Sequence, residues 1–349
     1  MPISTLPAPP GSTLEPDAAA QAVAAPIVII GNGLVGLHAA AELLRHEPQQ
    51  RVVIYGREPC QPYNRMKLSS LLSGAVDLPG VTSELPHADA AQVEQRFGYS
   101  VTAINPAMRS VTDSSGRVEH YRKLILALGS TPHIPAIDGL RLDGIFTFHN
   151  LRDAEQLIAR RIRSRRTIVI GGGLLGLEAA RGMQRSHTEV AIIDHADRLL
   201  SRQLDHLGSS RLLEHIESLG ISVLLNSAVK SILGEHSVAA IELCNGHSIA
   251  CDTVIIATGT RPNIALARAA GIRTARGIVV SDTMQTSSAD IYAVGECAEH
   301  HEKVYGLVAP GLEQAAVAVR DICAGAGEYH GSIASASLKL SLIHISEPT

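Results

Sequence analysis

Two glycine-rich segments with the same pattern, set far apart, constrain this chain more than any other feature. The first, Gly31-Asn32-Gly33-Leu34-Val35-Gly36, follows the apolar run Pro26-Ile27-Val28-Ile29-Ile30. The second, Gly171-Gly172-Gly173-Leu174-Leu175-Gly176, follows Thr167-Ile168-Val169-Ile170. In such a turn the first glycine lets the chain leave the strand sharply, and the second lets backbone approach a pyrophosphate. The third lets the helix pack on the sheet, with its unpaired N–H groups facing the phosphate charge. One match is weak evidence, because an ordinary strand–helix turn can be glycine-rich. Two, each between an apolar strand and a helical pattern, predict a protein that holds two dinucleotides and passes electrons between them. The expected cofactor contacts are Gly31, Gly33 and Gly36 at one site and Gly171, Gly173 and Gly176 at the other.

The segments that follow distinguish the two sites. After the second fingerprint a helix leads to Glu189-Val190-Ala191-Ile192-Ile193-Asp194, a strand ending in a carboxylate. An acid there hydrogen-bonds an adenosine ribose 2′-OH and repels a 2′-phosphate, so Asp194 predicts NADH over NADPH, with nearby Arg198 leaving NADPH open. After the first fingerprint the strand Arg51-Val52-Val53-Ile54-Tyr55 ends at Gly56, where an acid is usually expected. Glu58 is the nearest candidate for that ribose.

Strand and helix signals alternate in the βαβ manner and predict an α/β chain. Small-residue turns, Ala127-Leu128-Gly129-Ser130 and Ala257-Thr258-Gly259-Thr260, close the two halves at strand C-terminal ends, where ligands sit in open α/β sheets. The chain's 349 residues suffice for two domains with real cores. Apolar content of 45% against 18% charged residues marks a globular chain, and a net charge of −4 with few aromatics argues against a nucleic-acid surface. Cys60, Cys244, Cys251, Cys297 and Cys323 form no CxxC or CxxxxC pair, so no redox disulfide or zinc site is written. Free thiols suit a reducing cytoplasm. Cys60 reads as an incidental thiol ahead of a peroxidatic one. His300-His301 reads as a surface pair without ligand partners, and no metal site is expected. Arg160 to Arg166 reads as a basic helix end ahead of a docking site for an acidic carrier.

Residues 1–25, rich in Ala and Pro, are expected to form a disordered arm rather than a signal peptide, and no segment has the length of a membrane span. Leu340 to Thr349, LSLIHISEPT, matches in frame the translation of a transposase library adapter. The natural sequence is therefore expected to end near Lys339 in this chain, truncated, and the tail is excluded from fold reasoning.

From residue 26 to 339 the chain resembles the FAD-dependent pyridine nucleotide reductases, in both fingerprints, both small-residue turns and Ile291-Tyr292-Ala293-Val294-Gly295-Glu296. The resemblance implies two Rossmann-like domains, with an NAD domain (150–284) inserted into a discontinuous FAD domain (26–149 and 285–339). It also implies cofactor contacts at Ala127, Gly129, Gly259 and Gly295. Glu296 would reach the ribityl chain, although most members carry Asp there. Pro62-Tyr63-Asn64-Arg65-Met66-Lys67-Leu68-Ser69-Ser70 is similar to the flavin-contacting segment of ferredoxin and rubredoxin reductases. Ser70 stands where ferredoxin reductases usually carry a lysine, and the Leu-Ser-Ser form resembles the nitrite reductase large subunit. Arg65 and Lys67 would then bring positive charge to FAD, and Glu178 would hold the nicotinamide amide. The helix from about Pro310 to Cys323 would aim its N-terminus at the flavin.

The implied activity is hydride transfer from NADH to FAD, followed by single-electron release to an iron–sulfur centre and sirohaem in nitrite assimilation, with no catalytic side chain named. Those modules would lie in missing C-terminal sequence or in a partner, and the full-length protein would be a possible homodimer. A stand-alone ferredoxin- or rubredoxin-type reductase is the alternative within this fold. A flavin- and NADH-sensing interaction protein is the alternative of another class.

Overall fold

The computed structural model describes residues 25–85, 92–333 and 338. The expected N-terminal arm, Ala25 excepted, and the adapter-like segment 340–349 lie outside the described residues.

The first unit runs β1 (Ile27–Ile30), α1 (Leu34–His46), β2 (Val52–Gly56), α2 (Leu68–Ser73), α3 (Leu78–Val81) and β3 (Val93–Phe97). A meander of β4 (Val101–Asn105), β5 (Ser110–Asp113) and β6 (Val118–His120) leads to β7 (Lys123–Leu126) and β8 (Ser130–Pro132). The second unit runs β9 (Ile145–Thr147), α4 (Leu151–Arg161), β10 (Arg166–Ile170), α5 (Leu174–Met183), β11 (Glu189–Ile193), α6 (His206–Ser218) and β12 (Ile221–Leu224). It continues through the meander β13 (Val229–Leu233), β14 (Ala240–Leu243) and β15 (Ser248–Ala250) to β16 (Thr253–Ile256). The chain then returns through β17 (Thr260–Pro262), α7 (Ala265–Ala269), β18 (Ile278–Val280), β19 (Ile291–Ala293), β20 (Ala298–His300) and α8 (Val308–Ala324).

Two parallel five-stranded sheets result, ordered β19-β7-β1-β2-β3 and β12-β11-β10-β16-β9. β1 and β10, the strands that feed the fingerprints, lie centrally and are almost wholly apolar and buried, as strands covered on both faces must be. Because β19 pairs with β7, the first sheet is completed only after the second has been built. The fold is α/β with two Rossmann-like units, the second inserted into the first. β8 and β17, paired antiparallel, tie the two small-residue turns together.

Period-two alternation sorts the second sheet's side chains. Val169, Ile192 and Ile255 face a core shared with α4, α5, α6 and α2, whereas Ile168, Ile170, Ile193, Val254 and Ile256 face the meander β13–β15. α1 and α8 pack together on the first sheet in a separate core.

The second unit is offset from the span 150–284. Its edge strand β9 precedes residue 150, and Ala267, Ile272, Ile278, Val280 and Met284 pack into the first unit's core. A three-residue edge strand carries no periodic signal, and only packing assigns α7 and β18 to a side.

Candidate functional site: a cleft over two uncapped helices

Five helices of ten or more residues occur among the described residues, and their N-termini divide into two kinds. Asn150 caps α4 by accepting from Asp153 N at 2.8 Å, and Asp205 caps α6 by accepting from Gly208 N at 2.7 Å. At α1, α5 and α8 the N-cap residues are Gly33, Gly173 and Leu307, and no side-chain cap is made. Their first-turn N–H groups remain available to an anion, with the helix dipole in its favour. These are the two fingerprint helices and the helix after the Gly295-Glu296 turn.

A cleft of about 680 Å³ opens at the C-terminal ends of β1, β2 and β7. Gly31–Gly36, Glu58, Arg65, Ala127, Gly129, Gly295, Glu296 and the start of α8 line it. A cleft at this edge of a parallel sheet is the usual ligand position, and the volume suits a large organic cofactor. Gly31 is held at φ +122°, and a Cβ there would lie 2.0 Å from Ala127 O, so only glycine fits beside that turn. A Cβ at Gly33 or Gly173 would meet nothing within 4 Å, which leaves the space over each uncapped terminus open.

The charged side chains of the cleft form a relay of contacts. Glu58 accepts from Tyr63 Oη at 2.7 Å and from Arg65 Nη2 at 3.0 Å, and Tyr63 Oη accepts from Leu151 N at 3.0 Å. His149 Nε2 lies 2.9 Å from Ser130 O and 3.3 Å from Arg65 Nη1. A carbonyl only accepts and a guanidinium only donates, so with its proton on Nε2 the ring bonds to Ser130 O and meets Arg65 as a charge, not as a hydrogen-bond partner. Ser130 Oγ donates to Glu296 Oε2 at 2.8 Å, completing a path from Glu58 to Glu296. Burial, followed by the Arg65 charge, holds the His149 pKa below the ordinary imidazole value.

The unfolded chain therefore binds a proton at His149 more readily than the folded chain does. Stability from this group is complete above about pH 6.5 and is lost as pH falls through that value toward the lower folded pKa. His149→Asn is expected to flatten the fall in urea midpoint between about pH 7.5 and about pH 5.5. An unchanged slope would exclude His149 as its source.

The model of the pyridine nucleotide-disulphide oxidoreductase family matches residues 25–321. The chain belongs to that family. It is 38% identical over 322 residues to the assimilatory nitrate reductase electron transfer subunit of Bacillus subtilis (strain 168), covering 91% of this chain and 42% of that protein. It is 37% identical over 322 residues to nitrite reductase [NAD(P)H] of the same organism, covering 91% of this chain and 40% of the relative. The chain thus spans about two fifths of these relatives' length. Among solved structures, the covalent putidaredoxin reductase–putidaredoxin complex superposes with a TM-score of 0.85 at 28% identity, covering 92% of this chain and 80% of the reductase chain.

Family and structural neighbours imply FAD and NAD(H), and the first cleft fits a dinucleotide. Besides the open space over Gly33, Asn32 Oδ1 is buried there without a protein partner. Asn32 also accounts for the missing acid at the end of β2. A Cβ on Gly56 would lie 2.9 Å from Asn32 Cβ, so a side chain from the fingerprint already fills that corner. The second fingerprint fills the equivalent corner from the other side: Gly172 has no side chain, and Asp194 and Leu199 occupy the space. Asp194 Oδ2 accepts from Gly172 N at 2.5 Å and Oδ1 from Ala196 N at 2.9 Å.

The remaining predicted residues fall into place unevenly. Glu178 stands half-buried in α5, and Gly259 lies exposed in its turn at φ +97° with open space around it. Lys67 does not reach the cleft: it is exposed at the end of a short helical turn (Arg65–Lys67), and its Nζ donates to Gly80 O at 2.9 Å. Arg198 is engaged with Asp197 at 2.9 Å and with Ser201 O at 3.2 Å. Arg160 and Arg161 end α4 and bond to Thr253 and to Gly182 O, the structural use expected of the basic run. Cys60 borders the cleft, but burial and Glu58 push its thiol up, opposite to what a peroxidatic thiolate needs. The His300-His301 expectation needs correction: His300 is buried, and both imidazoles meet Asp282, a partner too distant in sequence for spacing to reveal. His149 was not anticipated, because a lone histidine before a helix carries no motif.

Proposed function

We propose that this chain is the NADH-oxidising flavoprotein part of an electron-transfer system that serves an iron–sulfur and sirohaem acceptor in nitrite assimilation. The observation that carries this reading is the pair of uncapped fingerprint helices, one opening on the cleft and one on the second sheet. FAD, when bound, supplies the conversion of a two-electron donor into single-electron transfers. Gly31, Gly33, Gly36, Ala127, Gly129, Gly295 and Glu296 would hold it, with Glu58 and Arg65 at its ribose and phosphates. Lys67 has no part in this. Gly171, Gly173, Gly176, Glu178, Asp194 and Gly259 would hold NADH. The chain's own contribution is alignment and exclusion of water, so no side chain is assigned a proton.

Anaerobic addition of NADH to the FAD-loaded protein is expected to bleach the flavin rapidly, with turnover once an iron–sulfur acceptor is present. Bleaching without turnover would favour a sensing role, and no bleaching would overturn the reading. Free small carriers separate the reductase alternatives. Efficient turnover with a ferredoxin- or rubredoxin-type protein would favour a stand-alone reductase, a reading supported by the likeness to putidaredoxin reductase.

Preference for NADH rests on Asp194. Its backbone contacts pin the carboxylate beside Gly172; Oδ1 also lies 3.2 Å from His195 Nδ1, while Oδ2, bonded to Gly172 N alone, keeps a lone pair for a ribose hydroxyl. Asp194→Ala is expected to raise the NADH Michaelis constant by about tenfold or more and to narrow discrimination against NADPH. An unchanged constant would remove Asp194 from the site.

A further inference from the structure

Outside the cleft, Asp282, His300 and His301 converge on one point. Each imidazole Nε2 lies 2.8 Å from the same oxygen, Asp282 Oδ1, and the three donor atoms all lie within 4.8 Å of one another. We propose that this trio is a binding site for a divalent transition-metal cation, of which Zn²⁺ is the most suitable probe.

Adjacent residues on a strand point to opposite faces, so two neighbouring histidines ordinarily cannot share a ligand. Here the chain departs from the strand at once. His300 and Lys303 exchange both backbone hydrogen bonds, at 3.0 and 2.9 Å, around a two-residue turn with φ +45° at His301 and +61° at Glu302. That is the type I′ arrangement, usually made by Asn-Gly, and here it is held by two residues that disfavour positive φ. The turn folds the His301 ring back to 4.1 Å from the His300 ring, with both facing Asp282.

β18 and β20 pair in parallel with Val280 opposite His300, which places Asp282 two residues further on, beside the imidazoles. Asp282 O also accepts from Tyr329 N at 2.7 Å, and the Tyr329 ring packs edge-on to His300 at 5.0 Å. One face of the trio is therefore walled and fixed. On the other, the His301 and Asp282 side chains are 73% and 52% exposed, leaving room for water to complete a coordination shell.

Two neutral imidazoles and one carboxylate are the donor set of borderline divalent ions. Mg²⁺ and Ca²⁺ prefer all-oxygen shells. Tetrahedral Zn²⁺ with bonds of about 2.0–2.1 Å separates its ligand atoms by about 3.3 Å, so the 2.8 Å hydrogen-bonded pairs need open by only about half an ångström. Binding would shift each imidazole proton from Nε2 to Nδ1, with no net proton released by a neutral ring.

The test is a Zn²⁺ titration of the FAD-loaded full chain against a chromophoric chelator. One equivalent is expected to bind the unmodified protein. His301→Gly removes one ligand while relieving the positive φ, so it is expected to fold at least as well and to bind about a hundredfold more weakly. Thermal melts of the two proteins without metal verify the folding. Cys244 is an exposed thiol and a competing soft donor, so Cys244→Ser is expected to keep the site intact. Absence of stoichiometric binding, equal affinity in His301→Gly, or loss of binding in Cys244→Ser would each overturn the proposal.

Discussion

Gly33→Ala is expected to yield a folded protein that has lost most of its FAD, and Gly173→Ala one that keeps FAD but is no longer reduced at low NADH. Both glycines are N-caps in extended conformation, with φ of −88° and −81°, which alanine adopts without strain. Neither new methyl would clash with the protein, since no heavy atom beyond the adjoining backbone lies within 4 Å of either Cβ position. The methyl would instead stand where a pyrophosphate must approach the first-turn N–H groups of α1 or α5. Losing that approach is expected to weaken each dinucleotide by about a hundredfold, or about 2.7 kcal/mol. The flavin-to-protein absorbance ratio reads the first effect. The concentration dependence of anaerobic reduction by NADH reads the second. Gly31→Ala differs in kind, because its Cβ would collide with Ala127 O and force the backbone apart whether or not a ligand is present. A Gly33→Ala protein with full flavin content would break the link between the uncapped helix and FAD.

The two fingerprints and the strands that feed them were legible because their signals are local: an apolar run, a fixed glycine spacing and a helical pattern. The place of Asp194 just past the end of β11 was legible for the same reason. Glu58 emerged only as the acid nearest to an unexpected Gly56. The cause of the displacement, Asn32 filling that corner, is a contact between separate strand ends that no spacing rule contains. Arg65 and Lys67 show the limit most directly. They sit two residues apart in one short helical turn (Arg65–Lys67), yet Arg65 turns into the cleft to meet Glu58, while Lys67 turns out to Gly80. Sequence supplied two cations, and backbone geometry selected one. The same holds for His149, whose role depends on Ser130 and Arg65 arriving from other elements, and for His300, buried in β20 with Tyr329 packed edge-on against it.

Among the contacts that hold the two units to one another is a close approach of helices α2 and α5, and Gly182→Val should expose its share. A Cβ at Gly182 in α5 would lie 2.6 Å from Leu72 Cγ and 2.7 Å from Leu72 Cδ2 in α2. Leu72 is fully buried, so it has nowhere to retreat. Arg161 clamps the same contact, donating to the carbonyls of both Leu72 and Gly182. α2 follows directly from the turn that presents Arg65 to the cleft, and α5 begins at the second fingerprint. The α2–α5 contact therefore helps, with the α2–α4 packing and the β8–β17 pair, to set the distance between the two proposed nucleotide-binding ends. A valine there must push the helices apart by about an ångström, at a stability cost of about 1–3 kcal/mol. Neither fingerprint changes, so both nucleotides should bind within a few-fold of their normal affinity. The rate of flavin reduction at saturating NADH is instead expected to fall about a hundredfold, because hydride transfer does not tolerate misplacement on that scale. Stopped-flow reduction under anaerobic conditions measures it, and a rate within about twofold of normal would show that another contact sets the geometry. Adding Leu72→Ala to Gly182→Val returns the space the valine takes. If the fault is steric, the double variant should recover much of the rate, and the two changes should be strongly non-additive.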